Sequence, residues 1–267
     1  MTSQPFIAIE PSGENDQFIF RVEHRHCVGP EGREFLFGGA SMGAGVAALE
    51  AACGRELVWG SAQYVGPAHP GDTVRLAVSK LREGKGITVA ELEAATSAGP
   101  VCRISAALGS GREEGEAQWR MAPDVPPPES IERSRHWRFS SGLHSNMDMR
   151  VAHGHFGKDR IGNPTPDGRM VFWIRPSGDY RIDKAYLATI ADFVPAGIGN
   201  ALGSHSGGRS LDNTFRCHDF VATDWVLAEV AIHAIRNGLV HGNIALFAQD
   251  GTLLALGSQS LVLVHHA

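Results

Sequence analysis

The sequence predicts an α+β protein built as two tandem copies of one unit, a helix of small residues packed against a curved antiparallel sheet. Three observations carry that expectation. Each half of the chain reads strand, helix, then a run of strands; a proline-rich stretch separates the halves; and short motifs of the first half return in the second. A unit with one helix and this much strand can bury the helix only against the sheet, a layered α+β arrangement.

Gln17 to His24 alternates as a strand does, with Phe18, Phe20 and Val22 interleaved by polar groups. Phe37-Gly38-Gly39 then opens a small-residue helix that ends near Gly54. Strands are expected over Leu57 to Val65, Thr73 to Leu81 and Gly86 to Thr96. A fourth, Val101 to Leu108, follows a turn at Ala98-Gly99-Pro100. From Ser110 the pattern gives way to charge and then to APDVPPPES, Ala122 to Ser130, which can continue neither a helix nor a central strand. This divides the chain into a first unit, 1–121, a connector, 122–135, and a second unit, 136–267.

After the connector the first pattern returns. FRVEHRH, Phe20 to His26, is answered by MRVAHGH, Met149 to His155. Later pairs lie farther apart: Tyr64 with Phe215, Arg82-Glu83-Gly84 with Arg236-Asn237-Gly238, and Gly99 with Gly251. The change in spacing predicts an insertion of roughly twenty residues ahead of the second helix, including one more strand from Arg169 to Ile174.

The second helix is expected from Tyr186 to Gly203. Leu187, Ile190, Val194, Ile198 and Leu202 recur at the steps of one buried face. A second row, Ala188, Asp192, Ala196, Gly199 and Gly203, is small except for its carboxylate. A lone acid on a helix packed on both sides must be paired, hydrogen-bonded or functional. Its plain structural reading is an N-cap ahead of Pro195. Gln259 poses a similar question, because its strand neighbours on the same face are Leu253, Ala255, Gly257, Leu261 and Leu263. A buried amide in that company needs polar partners, unless backbone groups cap it. Ser210 follows Gly207-Gly208-Arg209, where a simple turn serine would also fit. The first half offers only Ser105, Ala106 and Ala107 where Gln259 would stand, so one site per chain is expected, in the second half.

Composition narrows the function classes. Hydrophobic residues at 43% and charged residues at 20% describe a globular protein, and a net charge of −5 gives no reason to expect nucleic acid or an anionic membrane as partner. The four cysteines are far apart, the start lacks a basic and apolar leader, and no stretch is long and apolar enough to span a membrane, so a cytoplasmic protein is expected. Paired histidines at His24/His26, His153/His155 and His265/His266 lack neighbouring acids or cysteines at metal-site spacing, and no metal or cofactor is expected. Gly43 to Ala48 spells a dinucleotide fingerprint by letters, but strands in a meander follow it instead of a βαβ unit. No serine stands in a GxSxG elbow. Arg82, Arg209 and Arg236 are candidate phosphate contacts, against the default of solvated surface arginines.

Several of these motifs together resemble a known family, the acyl-CoA thioesterase II or double-hotdog proteins. The first half carries Phe37-Gly38-Gly39, the strand ending in Tyr64, the Pro70-Gly71-Asp72 turn and Leu81-Arg82-Glu83-Gly84-Lys85. The second carries Leu187-Ala188-Thr189-Ile190-Ala191-Asp192-Phe193, Arg209-Ser210-Leu211-Asp212-Asn213-Thr214, Asp224-Trp225, Asp250-Gly251 and Ser258-Gln259. The resemblance covers nearly the whole chain outside the connector. It implies two fused hotdog units, each a long helix wrapped by a curved antiparallel sheet. It also implies hydrolysis of acyl-CoA without a cofactor, by a water held between an Asp, a Thr or Ser, and a Gln, which fall here on Asp192, Ser210 and Gln259. An apolar tunnel for the acyl chain beside the second helix is implied too. Homo-oligomers are expected, since hotdog sheets commonly pair edge to edge. The sequence departs from the family at Asn213, often a His, at Phe215 to His218, at Ser260-Leu261 after the glutamine, and at Pro195 early in the helix. Two other classes remain in view: a non-catalytic acyl-CoA-binding protein, and a hotdog hydratase. The second would call for a D-x-N-P-x-H-like run, whereas Asn163-Pro164 is followed by Thr165-Pro166.

Overall fold

The computed structural model describes residues 3–111, 116–134, 142–217 and 220–265. In the first unit β1 (Gln17–Arg21) precedes α1 (Gly38–Cys53), and a meander follows: β2 (Leu57–Tyr64), β3 (Thr73–Glu83), β4 (Ile87–Thr96) and β5 (Gly99–Gly109). Period-two burial, as in Val74, Leu76 and Val78 of β3, turns one face of each strand toward the helix. Every strand expected in this half is present. The chain leaves β1 earlier than alternation suggests, and His24–His26 form a 3-10 turn whose His26 is buried against the Phe6 carbonyl.

The second unit contains β6 (Met147–His153), β7 (Arg169–Pro176), α2 (Lys184–Ile190), α3 (Val194–Leu202), β8 (Ser206–Ser210), β9 (Asp212–Cys217), β10 (Val226–Arg236), β11 (Leu239–Phe247) and β12 (Leu253–His265). Among the described residues one antiparallel sheet of 13 strands runs through both units. Its order is β6, β7, β10, β11, β12, β9, β2, β5, β4, β3, β1, with Glu10–Pro11 at the far edge and β8 alongside β12. The units meet where β9 pairs with β2, from Asp212 opposite Gln63 to Arg216 opposite Trp59. Even the bulge repeats, between Lys80 and Arg82 of β3 and between Ile232 and Ala234 of β10. This is the hotdog arrangement twice over.

The repeat differs from the sequence expectation in one respect. The counterpart of β1 is β7 and not the Met149 to His155 segment. Phe20 of β1 pairs with Val74 of β3, and Ile174 of β7 pairs with Val226 of β10. Pairing partners define the equivalence, whereas the likeness of FRVEHRH and MRVAHGH is local. What is enlarged in the second unit is the outer strand β6, which flanks β7 as Glu10–Pro11 flanks β1.

Helix α1 is buried on both sides. A Cβ on Gly45 would strike Ile104 of the sheet, and one on Gly43 would lie 2.5 Å from the Ala185 carbonyl and 2.7 Å from Thr189 Oγ1. The glycines therefore set the approach of α1 to α2 as well as to the sheet. The single helix expected from Tyr186 to Gly203 is two helices, broken at Ala191 to Phe193. Pro195 sits in the first turn of α3, and in a continuous helix its ring would clash with the carbonyl four residues back. Tighter bonds bridge the gap: the Phe193 amide donates to Ile190 at 3.0 Å and the Ala196 amide to Phe193 at 3.0 Å.

The proline-rich connector is bound to the outer face of the second unit. Trp173 Nε1 donates to the Pro126 carbonyl at 3.0 Å and Arg150 to that of Pro128 at 2.7 Å. Val125 and Ile131 pack with Val171, Trp173, Trp225 and Leu227, and Arg120 joins Arg169 on the buried Glu229. The boundary at 135/136, His218 and His266 lie outside the described residues.

Candidate active site

The break between α2 and α3 presents Asp192, which is 2% exposed. The N-cap of α3 is Phe193, so the capping role open to Asp192 on sequence grounds is not the one it has. Its carboxylate turns to the sheet. Gln259 Nε2 donates to Asp192 Oδ1, Ser210 Oγ donates to the same oxygen at 3.4 Å, and Gln259 Nε2 lies 3.3 Å from Ser210 Oγ. The Gly39 amide, in the first turn of α1, also donates to this carboxylate.

The sheet explains the meeting of these side chains. Ser210 ends β8 opposite Leu261, two residues from Gln259 on β12, so both project from the same face. Gln259 itself faces Gly242 of β11, between the buried Gly257 and Leu261. All three sequence-predicted site residues are thus together. The contribution of the first unit was not foreseen as a role, although Phe37-Gly38-Gly39 and Tyr64 stood out as motifs. A Cβ on Gly38 would fall 2.6 Å from Asp192 Oδ2 and 2.9 Å from Tyr64 Cζ, and one on Gly39 would press on the Thr189 carbonyl. Only glycines let α1 come this close.

Burial pushes the Asp192 carboxyl up to about 7, against the opposing pull of the bonds from Gln259, Gly39 and Ser210. The N-terminus of helix α1, through the Gly39 amide, lies at the same carboxylate, which favours the charged form. A group balanced in this way exchanges protons near neutrality, as a general base must. The matching place in the first unit is Ala106, opposite Ala90 in β4 as Gln259 is opposite Gly242 in β11, and it is fully buried. No comparable polar set is possible there.

The helix face expected beside the acyl chain, Leu187, Ile190, Val194 and Ile198, is packed and 0% exposed. A groove of about 940 Å³ lies elsewhere, lined by Arg133, Arg175, Tyr180 and Asp224, and touches none of the three site residues. Arg82, Arg209 and Arg236 are exposed. Among the described residues no three His, Cys, Asp or Glu side chains converge as metal ligands, and no helix is long and apolar enough to cross a membrane.

A helix-wrapping sheet repeated twice is a double hotdog, and one Asp-Ser-Gln cluster lies at its joint. The chain belongs to the acyl-CoA thioesterase family: residues 29–109 match its N-terminal domain and residues 122–263 its C-terminal domain. Among solved structures it is similar to a candidate thioesterase from Novosphingobium aromaticivorans, at 30% identity and a TM-score of 0.84, over 96% of this chain and 98% of that one. It is also similar in fold to the acyl-CoA thioesterase II TesB2 from Mycobacterium marinum, at 15% identity and a TM-score of 0.72, over 97% of both chains. A hot dog protein from Alicyclobacillus acidocaldarius aligns at 18% identity and a TM-score of 0.83, over 97% of both chains. No curated protein sequence matches the chain.

Proposed function

We propose that the protein hydrolyses acyl-CoA thioesters to free acid and coenzyme A, with Asp192, Ser210 and Gln259 holding and activating one water. The observation that carries this is the Asp192 carboxyl, buried, held near neutral pKa, and hydrogen-bonded to a serine and a glutamine. A thiol with a pKa of about 8.5 leaves without strong acid assistance, so the main need is a base or orienter for water and donors for the oxyanion. Asp192 takes the proton of the attacking water, while the Gln259 amide and the Ser210 hydroxyl fix the direction of attack. When the tetrahedral adduct collapses, the C–S bond breaks and the thiolate carries the proton away. In this reading residues 1–121 and 136–267 are the two units and 122–135 the connector. Copies of the chain associate, which light scattering checks.

Thiol release from short, medium, long and aromatic acyl-CoAs, wild type beside Asp192→Asn, tests the proposal. The variant is expected to lose about 10²- to 10⁴-fold in kcat while still binding acyl-CoA. In the wild type kcat/KM should rise with pH and level off above about 7. Turnover untouched by Asp192→Asn overturns the assignment. Binding of every acyl-CoA without release from any makes the protein an acyl-CoA-binding module.

A further inference from the structure

The joint between the units holds polar groups that the water-activating trio does not use. Asn213, on β9, is 0% exposed, and neither atom of its amide meets a hydrogen-bonding partner among the described residues. The Tyr64 hydroxyl, at the end of β2, is buried and likewise unpartnered. Both belong to the strand pair that joins the units. Asn213 stands opposite Ala62, and the Tyr64 amide donates to the Leu211 carbonyl at 3.1 Å.

They are also next to the carboxylate. A single added carbon on Gly38 would touch both Asp192 Oδ2 and the carbon that bears the Tyr64 hydroxyl. The Asn213 amide and the Asp192 charge both act on that hydroxyl, so the amide and the hydroxyl are neighbours, though not a formed hydrogen-bond pair. Burial, and then Asp192, keep the phenol protonated, hence a donor.

An unmade hydrogen bond at a buried polar group costs about 1–3 kcal/mol, so a cluster of them needs an occupant. The other donors here are committed, since Gln259 Nε2, Ser210 Oγ and the Gly39 amide all point at Asp192. The donors that remain are the Tyr64 hydroxyl and the Asn213 NH2 group, and Gln259 Oε1 remains as an acceptor for the second hydrogen of the water. Whichever way round the Asn213 amide is placed, it brings one NH2 group to the cluster.

We propose that the Tyr64 hydroxyl and the Asn213 amide are the donors that receive the thioester oxygen as it becomes an oxyanion. This rests on the reading of Asp192 as the base. As the water oxygen bonds to the carbonyl carbon, its proton passes to Asp192 and the C=O pair moves onto the oxygen held by Tyr64 and Asn213. On collapse that pair returns, the C–S bond breaks, and the thiolate takes the proton from Asp192. The first unit then supplies one catalytic side chain to a site whose base is in the second.

Tyr64→Phe and Asn213→Leu test this, beside Asp192→Asn. Each donor variant is expected to lose about 10²- to 10³-fold in kcat, with KM within about threefold of wild type. A structural asparagine would behave differently: here Asn213→Leu should leave Tm unchanged or raised, because it removes an unpartnered amide. The carbonyl stretch of a 13C-labelled acyl-CoA bound to Asp192→Asn should lie below its solution value, and adding Tyr64→Phe should return part of the shift. If Asn213→Leu does not fold, Tyr64→Phe, which removes one oxygen, carries the test alone. Donor variants with wild-type kcat beside an inactive Asp192→Asn overturn this inference and leave the base assignment standing. A fully active Asp192→Asn overturns both.

Discussion

The two units share a strand order, a bulge and a helix, yet only one carries the carboxylate, and the difference lies in a few side chains. Where the second unit has Gln259 the first has Ala106, and where the second breaks its helix at Asp192 the first runs α1 unbroken from Gly38 to Cys53. The first unit is nevertheless part of the site, because its helix brings the Gly39 amide to the carboxylate and its strand β2 brings Tyr64. One copy holds the carboxylate, and the other approaches it closely through its backbone and Tyr64.

The comparison breaks most severely at Gly39. Gly39→Val would drive a branched side chain into the Thr189 carbonyl and against Asp192 Cβ, at roughly 3 kcal/mol or more. Chemical denaturation should register that loss, and activity should fall with it. An Ala at this position with wild-type stability would show that α1 and α2 are less tightly fixed than described. Next comes Gln259→Leu, which keeps the volume and removes the amide. It should lower kcat about 10²-fold in thiol release and lower Tm as well, because the buried Asp192 carboxylate loses a donor.

A smaller effect comes from making the units alike. Ala106→Gln places an amide where β4 offers Ala90 and no acid, so it should destabilise by about 1–3 kcal/mol and create no second site. Added turnover in Ala106→Gln/Asp192→Asn would sink the idea that the first unit lacks the rest of the machinery. A pH slope is expected as well. The folded-state Asp192 carboxyl stands near 7 against an ordinary 3.8, so the folded protein binds the extra proton between those values. Its contribution is therefore most favourable below about 4 and is lost as pH rises through 7. Asp192→Asn should flatten that part of the stability profile, and unfolding at several pH values measures it.

Much of this could be read from the sequence because burial conflicts are visible in it. Asp192 was conspicuous as one carboxylate in a row of small residues, and Gln259 as one amide on an apolar strand face. The alternation that identifies β2 to β5 comes from burial of one strand face against the helix and exposure of the other. What escaped was set by distant partners. The break at Ala191 to Phe193 was signalled by Pro195, but apolar periodicity runs through it and reads as one helix. The counterpart of β1 was misassigned because strand identity lies in pairing, which local letters do not carry. Asn213 had a legible signal: it alternates with Phe215 and Cys217, which places an amide on the inward face of β9. Nothing local announces that Gly39 meets Asp192, since the two are brought together only by the crossing of α1 over α2.

The pairing of β9 with β2 has a consequence for mass action. In a site shared between separate chains, dilution would pull the halves apart and activity per molecule would fall with concentration. Here both halves belong to one polypeptide, so their encounter is intramolecular and its effective concentration is set by the connection, at the millimolar level typical of short tethers. The connector's anchorage through Pro126 and Pro128, with Arg120 just ahead of it on Glu229, narrows that search further. The completed site should persist at any dilution at which the chain stays folded.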